Sequence, residues 1–483
     1  MNRVTANGPM FLSRNARAHE CHERKGHRAD AITVGRRETR SCGVMAMLIA
    51  LLLPMTTAIA QVAIFGERVY PVDGPVIENG VVIIEGGKIT AVGEAADTAV
   101  PDGLERLEAA VVTPGLVDAH STVGVSGILN YDHDQDQLER SKPIQPELRA
   151  LDAYNCREPL VDWVRSFGVT TMQTGHAPGE LISGQLMIVK SFGRTVDDAA
   201  LVPASAVAAT LASQARKGGG KSPGTRGKMM AMLRQAFLNA QDYRKKHEKA
   251  EKADGSKNDA SASSDQDSDA DSGGDDADDD SNESGGDDTK DKKKSPARSL
   301  SDEVLVRVLE GELPLLVTAQ RAQDIANALR LAREFDLKLI LDGAAESYLL
   351  VDRIREAGVP VIIHPSMARA YGDLQNMSFE TAAMLVNAGV KVAFQSGYES
   401  YVPKTRVLLF EAGIGAANGM SFDQALRAIT LAPAEIMGVA DRVGSLTVGK
   451  DGDVALYDGD PFEYTTHCVG VVGEGKVISR ARR

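Results

Sequence analysis

The sequence predicts an α/β protein, a (β/α)8 TIM-like barrel with a small β-sandwich built jointly by its N- and C-terminal segments. Three observations lead there. Across 113–439, apolar runs of strand length alternate with amphipathic helical stretches, the rhythm of βα units around a parallel sheet. No G-x-G-x-x-G marks an open dinucleotide-binding sheet, and polar, ligand-like residues recur at the ends of several apolar runs, where barrels place their sites. Both chain ends carry short β-branched runs split by turn residues, and neither end has enough strands for a core of its own.

In chain order, Ala63–Gly66, Val81–Glu85 and Ile89–Val92 read as strands, with Asn79-Gly80 and Gly86-Gly87 as hairpin turns. Leu116–Ala119 opens the barrel. A helix around Trp163 follows, then Val169–Thr174 and Leu186–Lys190. Later come strand Leu315–Thr318, helix Asp324–Glu334, strand Leu339–Asp342, helix Ser347–Ala357 and strand Val359–His364. Helix Phe379–Asn387 leads to the last barrel strand, Val390–Gln395. The tail returns to the opening style with Asp453–Tyr457, Cys468–Val472 and Lys476–Ser479, turning at Glu474-Gly475. The expected segments are 61–112 with 440–483 for the sandwich and 113–439 for the barrel.

Arg36, Arg37 and Arg40 precede the apolar run Val44–Met55, and Ala58-Ile59-Ala60 follows, the order of a secretory signal peptide spanning 34–60. A membrane anchor needs ~20 apolar residues, and this run is shorter and broken by Pro54. The expectation is cleavage before Gln61, export to the periplasm or beyond, and no stable membrane span afterwards. Residues 1–33 sit oddly ahead of such a signal, and a start near Val34 or Met45 leaves an ordinary one. Two cysteines remain, Cys156 and Cys468, enough for one disulfide or for two buried free thiols but not for a disulfide framework.

The formal charge of −13 is local. Glu251–Asp288 holds fifteen acidic residues against Lys252 and Lys257, so the rest of the chain is close to neutral and offers no basic surface for nucleic acid. Over 250–295 the composition falls to Asp, Ser, Gly and Lys, too few apolar residues to offset ordering entropy. The alternating Asp265, Asp267, Asp269 and Asp271 lack the sixth-position glycine of a calcium loop, and an insert without fixed structure is expected.

Two stretches carry the chemistry, Val111–Gly124 (VVTPGLVDAHSTVG) and Val443–Pro461 (VGSLTVGKDGDVALYDGDP). They resemble the start and end signatures of the amidohydrolase superfamily, and Gly175–Gln185 resembles a loop of its imidazolonepropionase-like members. The resemblance implies hydrolysis of C–N bonds other than peptide bonds, in cyclic or related small amides, by water attack on a polarised carbonyl. A divalent metal, zinc foremost, normally serves that chemistry. The family's fullest ligand set is His-x-His on the first strand, a mid-barrel Lys or Glu, two later His and a strand-eight Asp. Here His120 matches the first His, Thr122 replaces the second, the later ones fall at Thr318 and Asp342, and the Asp falls at Gly397.

The remaining candidates are His120, Asp342 and His364 as metal ligands at three strand ends, with Glu399 as base beside His120. In the plainer reading these are hydrogen-bonding residues at loops and turns. His176, Ser183, Gln185 and Tyr398 are candidate substrate contacts. No nucleophile elbow supports serine hydrolase chemistry. The alternative function is a catalytically inactive barrel that binds a small molecule or partner at its mouth.

Overall fold

The computed structural model describes residues 61–261, 297–363, 366, 369–398 and 408–483. The signal peptide, the 1–33 extension, the acidic insert beyond 261, His364 and Glu399 therefore lie outside the described residues. The described residues form one compact unit.

Numbering strands in chain order, β1 (Gln61–Val69), β2 (Ile77–Glu85), β3 (Lys88–Glu94) and β4 (Glu105–Pro114) join β13 (Val454–Tyr457), β14 (Cys468–Gly473) and β15 (Lys476–Ser479). The two chain ends thus share one sheet, in the order β15-β14-β13-β4-β1-β2-β3. The seven strands hydrogen-bond edge to edge in this continuous sheet. Alternation buries both faces, Val62, Ile64, Val82 and Ile84 packing on one side and Ala63, Val81 and Ile83 on the other. Gly86 and Gly87 make the expected turn with φ of 60° and 82°. Asn79-Gly80 does not turn. It lies inside β2, with Asn79 at φ 47°, and the chain reverses in the segment before β2 instead.

The barrel comprises β5 (Leu116–Ser121), β6 (Val169–Thr174), β7 (Ile182–Lys190), β8 (Ala200–Thr210), β9 (Leu315–Ala319), β10 (Leu339–Gly343), β11 (Val361–Ile363) and β12 (Val392–Phe394). They lie side by side in sequence order, and a bridge between Ser121 and Gly397 brings the last against the first. The expectation of eight parallel strands needs one correction. β7 runs antiparallel to both β6 and β8. Only 175–181 separates β6 from β7, too short for the crossover that a parallel pair needs.

Ten helices accompany the strands among the described residues: α1 (Pro159–Ser166), α2 (Val196–Ala199), α3 (Arg226–Ser261), α4 (Leu300–Leu309), α5 (Ala322–Phe335), α6 (Val351–Glu356), α7 (Thr381–Asn387), α8 (Leu408–Ala417), α9 (Phe422–Arg427) and α10 (Leu431–Ile436). α5 shows how the outer layer forms. Ile325, Ala328, Leu331 and Phe335 recur at helical spacing and are buried against the barrel, each large side chain contributing about 1.5–3 kcal/mol. Asp324 in its first turn accepts two hydrogen bonds from Arg226 of α3, and Asp336 ends the helix at φ 55°.

Inside the barrel, Val117 and Ile188 pack with Ala434, Val439 and Val443 at the bottom. Above them Ala119, Leu186, Ala206, Ala208, Leu316, Ile340, Ile362 and Ala393 form a dry middle layer. Two residues further along β9 and β10, and just beyond β12, the alternation puts Thr318, Asp342 and Gln395 on the same inner face.

The terminal sheet is bolted to the barrel by charge. Lys190, at the bottom end of β7, reaches Asp451 at 2.8 Å and Asp453 at 2.5 Å. Asp451 also pairs with Lys88 at 2.6 Å and Arg442 at 2.9 Å. Cys156 and Cys468 are both free thiols. No helix among the described residues is long and apolar enough to cross a membrane.

Candidate functional site at the barrel mouth

Strand order and direction bring the C-terminal ends of β5, β6, β9, β10 and β12 to one mouth, together with the N-terminal end of β7. Asp342, fully buried, sits at its centre. Its Oδ1 accepts from His120 Nδ1 at 3.1 Å and from Gln395 Nε2 at 2.8 Å, and its Oδ2 from Thr318 Oγ1 at 2.6 Å. A register irregularity between Asp118 and Ser121 on β5 accompanies the placement of His120. Asp118 takes the other side of the seam, accepting the Ser396 backbone N–H at 3.0 Å and the Ser396 hydroxyl.

Burial disfavours charge on His120, but the carboxylate of Asp342 and its hydrogen bond outweigh that and raise the imidazole above its ordinary value. Burial pushes the Asp118 carboxyl up to about 6, against the hydrogen bonds from Ser396 and from the His120 backbone. His176, in the loop between β6 and β7, is driven down to about 4 by burial, with His120 adding to the shift, and so is neutral at pH 7. The backbone of Leu148 opposes that shift, and among the described residues the ring has no side-chain hydrogen-bond partner. Room for that ring depends on Gly184, where a Cβ would come within 2.4 Å of His176 Nε2.

Among the residues expected at the site, the structure brings together His120, Asp342, His176 and Tyr398, whose ring centroid lies 5.4 Å from that of His120. Ser183 and Gln185 are engaged by their own surroundings, Ser183 Oγ donating to Ala177 O at 3.3 Å and Gln185 Nε2 to Pro146 O at 3.0 Å. His364 and Glu399 lie outside the described residues. Gln395 and Asp118 are not among the candidates the sequence offers. The signal available was a polar residue directly after the apolar Val392-Ala-Phe, read only as a continuation of the strand.

A catalytic zinc takes three protein ligands. Among the described residues no group of three His, Cys, Asp or Glu side chains is placed to hold an ion. The imidazole and carboxylate that do meet are turned on each other, and the carboxylate already accepts from three donors. Among the described residues these donors orient a base, while the candidate ligand His364 lies outside them.

A family model described as "Amidohydrolase family" matches residues 316–479, from β9 to β15. Amidohydrolase tasK of Hapsidospora irregularis is 25% identical over 405 residues, 79% of this chain and 38% of its own length. An imidazolonepropionase of Syntrophobacter fumaroxidans (strain DSM 10017 / MPOB) is 32% identical over 127 residues, 26% of this chain and 29% of its own length. The chain therefore spans well under half the length of these curated relatives. A solved amidohydrolase from Thermotoga maritima MSB8 shares the fold, with a TM-score of 0.73 at 23% identity over 87% of this chain and 100% of that one. Taken with the signatures at both ends of the barrel, these matches make the chain similar to members of the amidohydrolase superfamily, with an imidazolonepropionase among the proteins it resembles.

Proposed function

We propose that this chain is an exported hydrolase of C–N bonds other than peptide bonds, acting on cyclic or related small amides. The observation that carries the reading is the buried His120–Asp342 pair, 3.1 Å apart at the mouth of an amidohydrolase barrel. A carboxylate has only lone pairs to offer, so Nδ1 of His120 is the donor and Nε2 is the nitrogen left to take a proton. His120 accepts a proton as water attacks the carbonyl carbon, and Asp342 stabilises the imidazolium. The same proton then passes to the departing nitrogen as the C–N bond breaks. His176, kept neutral by burial, supplies an N–H to polarise the carbonyl oxygen.

Export rests on the charge and apolar pattern of 34–60, and we read 61–112 with 440–483 as the accessory module of a 113–439 barrel. The test is turnover of a panel of lactams, imides and hydantoins by the purified chain, with its metal content measured in parallel. Turnover that disappears in both His120→Ala and Asp342→Asn supports the reading. Full activity in either variant overturns the assigned pair.

A second reading has its own observation. Thr122, Thr318 and Gly397 stand where the resemblance expects two ligands and a base, which favours a barrel that binds without turning over. Saturable binding of panel members with no product marks that outcome.

A further inference from the structure

Gln395 is fully buried, and its two ends are treated differently. Nε2 donates to Asp342 Oδ1 at 2.8 Å, while Oε1 has no hydrogen-bond partner among the described residues. The amide cannot be turned over, because the carboxylate of Asp342 can only accept and would repel a carbonyl oxygen. Thr318 and His120 lock that carboxylate from two further directions. An acceptor is thereby held in fixed orientation, sharing Oδ1 with the imidazole that the mechanism uses. A buried carbonyl oxygen without a donor is uncommon in native structures and points to something missing.

The geometry points to Gln395 as the residue that selects for ligands carrying an N–H beside the carbonyl, its Oε1 accepting that N–H while His176 addresses the carbonyl oxygen. This rests on the reading of the mouth as a small-amide site and goes further by fixing the substrate class: secondary cyclic amides and imides are taken, and their N-alkylated counterparts are rejected. Rejection follows because an N-methyl group leaves Oε1 buried without a donor and pushes carbon against it.

The test uses matched pairs on the intact chain: pyrrolidinone against N-methylpyrrolidinone and succinimide against N-methylsuccinimide, with binding followed by ligand-observed NMR titration. The wild type should prefer each N–H member by about ten- to a hundredfold, the usual discrimination when a buried polar group loses its partner. Gln395→Met, close in size but without the carbonyl, should bring the two members of each pair within about threefold, since an apolar side chain leaves no acceptor to strand. Equal binding of both members by wild type overturns the inference while leaving the small-amide reading intact. Persistence of the preference in Gln395→Met also overturns it. Absence of binding by every member overturns the small-amide reading as well. Because the ligand comparison is made within wild type, its outcome does not depend on the variant folding.

Discussion

Replacing Lys190 with Met should destabilise the chain by about 3 kcal/mol, the low end of the range for breaking a buried ion pair. Lys190 and Asp453 each keep only 4% of their side-chain surface exposed, and Asp451 keeps 1%. Asp451 retains Lys88 and Arg442 when Lys190 goes, which holds the loss to that low end. Asp453 is the exposed nerve: among the described residues its side chain then keeps only the Glu474 backbone N–H at 3.0 Å. The assay is thermal unfolding of the wild type and variant. A loss of this size lowers the midpoint by several degrees, given about 2–4 °C per kcal/mol for domains of 150–250 residues. Pairing the change with Asp453→Leu should recover much of it, because apolar replacement of a buried pair is often neutral. The pH dependence follows from two shifts. Burial opposes charge on Lys190, but Asp453 and Asp451 raise it above its ordinary 10.5, so its contribution is complete below that value and fades as pH climbs through the raised one. Burial likewise opposes charge on Asp451, but Lys190 holds it below 3.8, so its contribution is complete above that value and fades as pH falls through the lowered one. Lys190→Met should therefore flatten the alkaline limb of the stability profile. A midpoint within 1 °C of wild type, roughly a tenth of the predicted effect, or an unchanged alkaline limb would refute the argument.

Asp342→Asn should lower kcat by about 10²–10⁴, the usual worth of a positioned acid–base group, while leaving the melting temperature within a few degrees; amide hydrolysis assays beside calorimetry check both. Gly184→Ala meets the His176 ring at 2.4 Å and the Leu148 carbonyl oxygen at 2.8 Å, at a φ of +142°. It should weaken binding of cyclic amides and lower stability by about 1–3 kcal/mol, and unchanged titrations would count against the placement of that ring. Prolonged dialysis against a chelator should leave turnover intact if the His120–Asp342 pair acts alone; activity lost and then restored by zinc would show that an ion takes part. Intact-mass analysis of the exported protein should give Gln61 as the first residue, and retention of the apolar run would defeat the cleavage reading.

The terminal sheet was legible because its Gly86-Gly87 turn and β-branched runs leave little choice of pairing. The direction of β7 was not. All nine of its residues are buried, and a strand covered on both faces shows no alternation from which orientation can be inferred. β8 escaped notice for a different reason, since Ala200–Thr210 is rich in alanine and interrupted by Pro203, a poor local match to a strand. His120 and Asp342 stood out as titratable residues ending apolar runs, and the barrel brings them together. Gln395 carries no charge and resembles no expected ligand, so only the carboxylate fixed above it shows that its amide has a direction.

The reversed strand also bears on how such a barrel changes over generations. In a run of βα units, a loop at the mouth leads into a helix that must still dock outside, which limits how freely the loop can be rebuilt. Between Thr174 and Ile182 no helix intervenes, and the connection that carries His176 is anchored at both ends by fully buried strands. Lengthening such a loop costs only ~0.6 kcal/mol for each doubling. This stretch is therefore the natural place for insertion and selection to enlarge or reshape the pocket, with the barrel behind it left as it is.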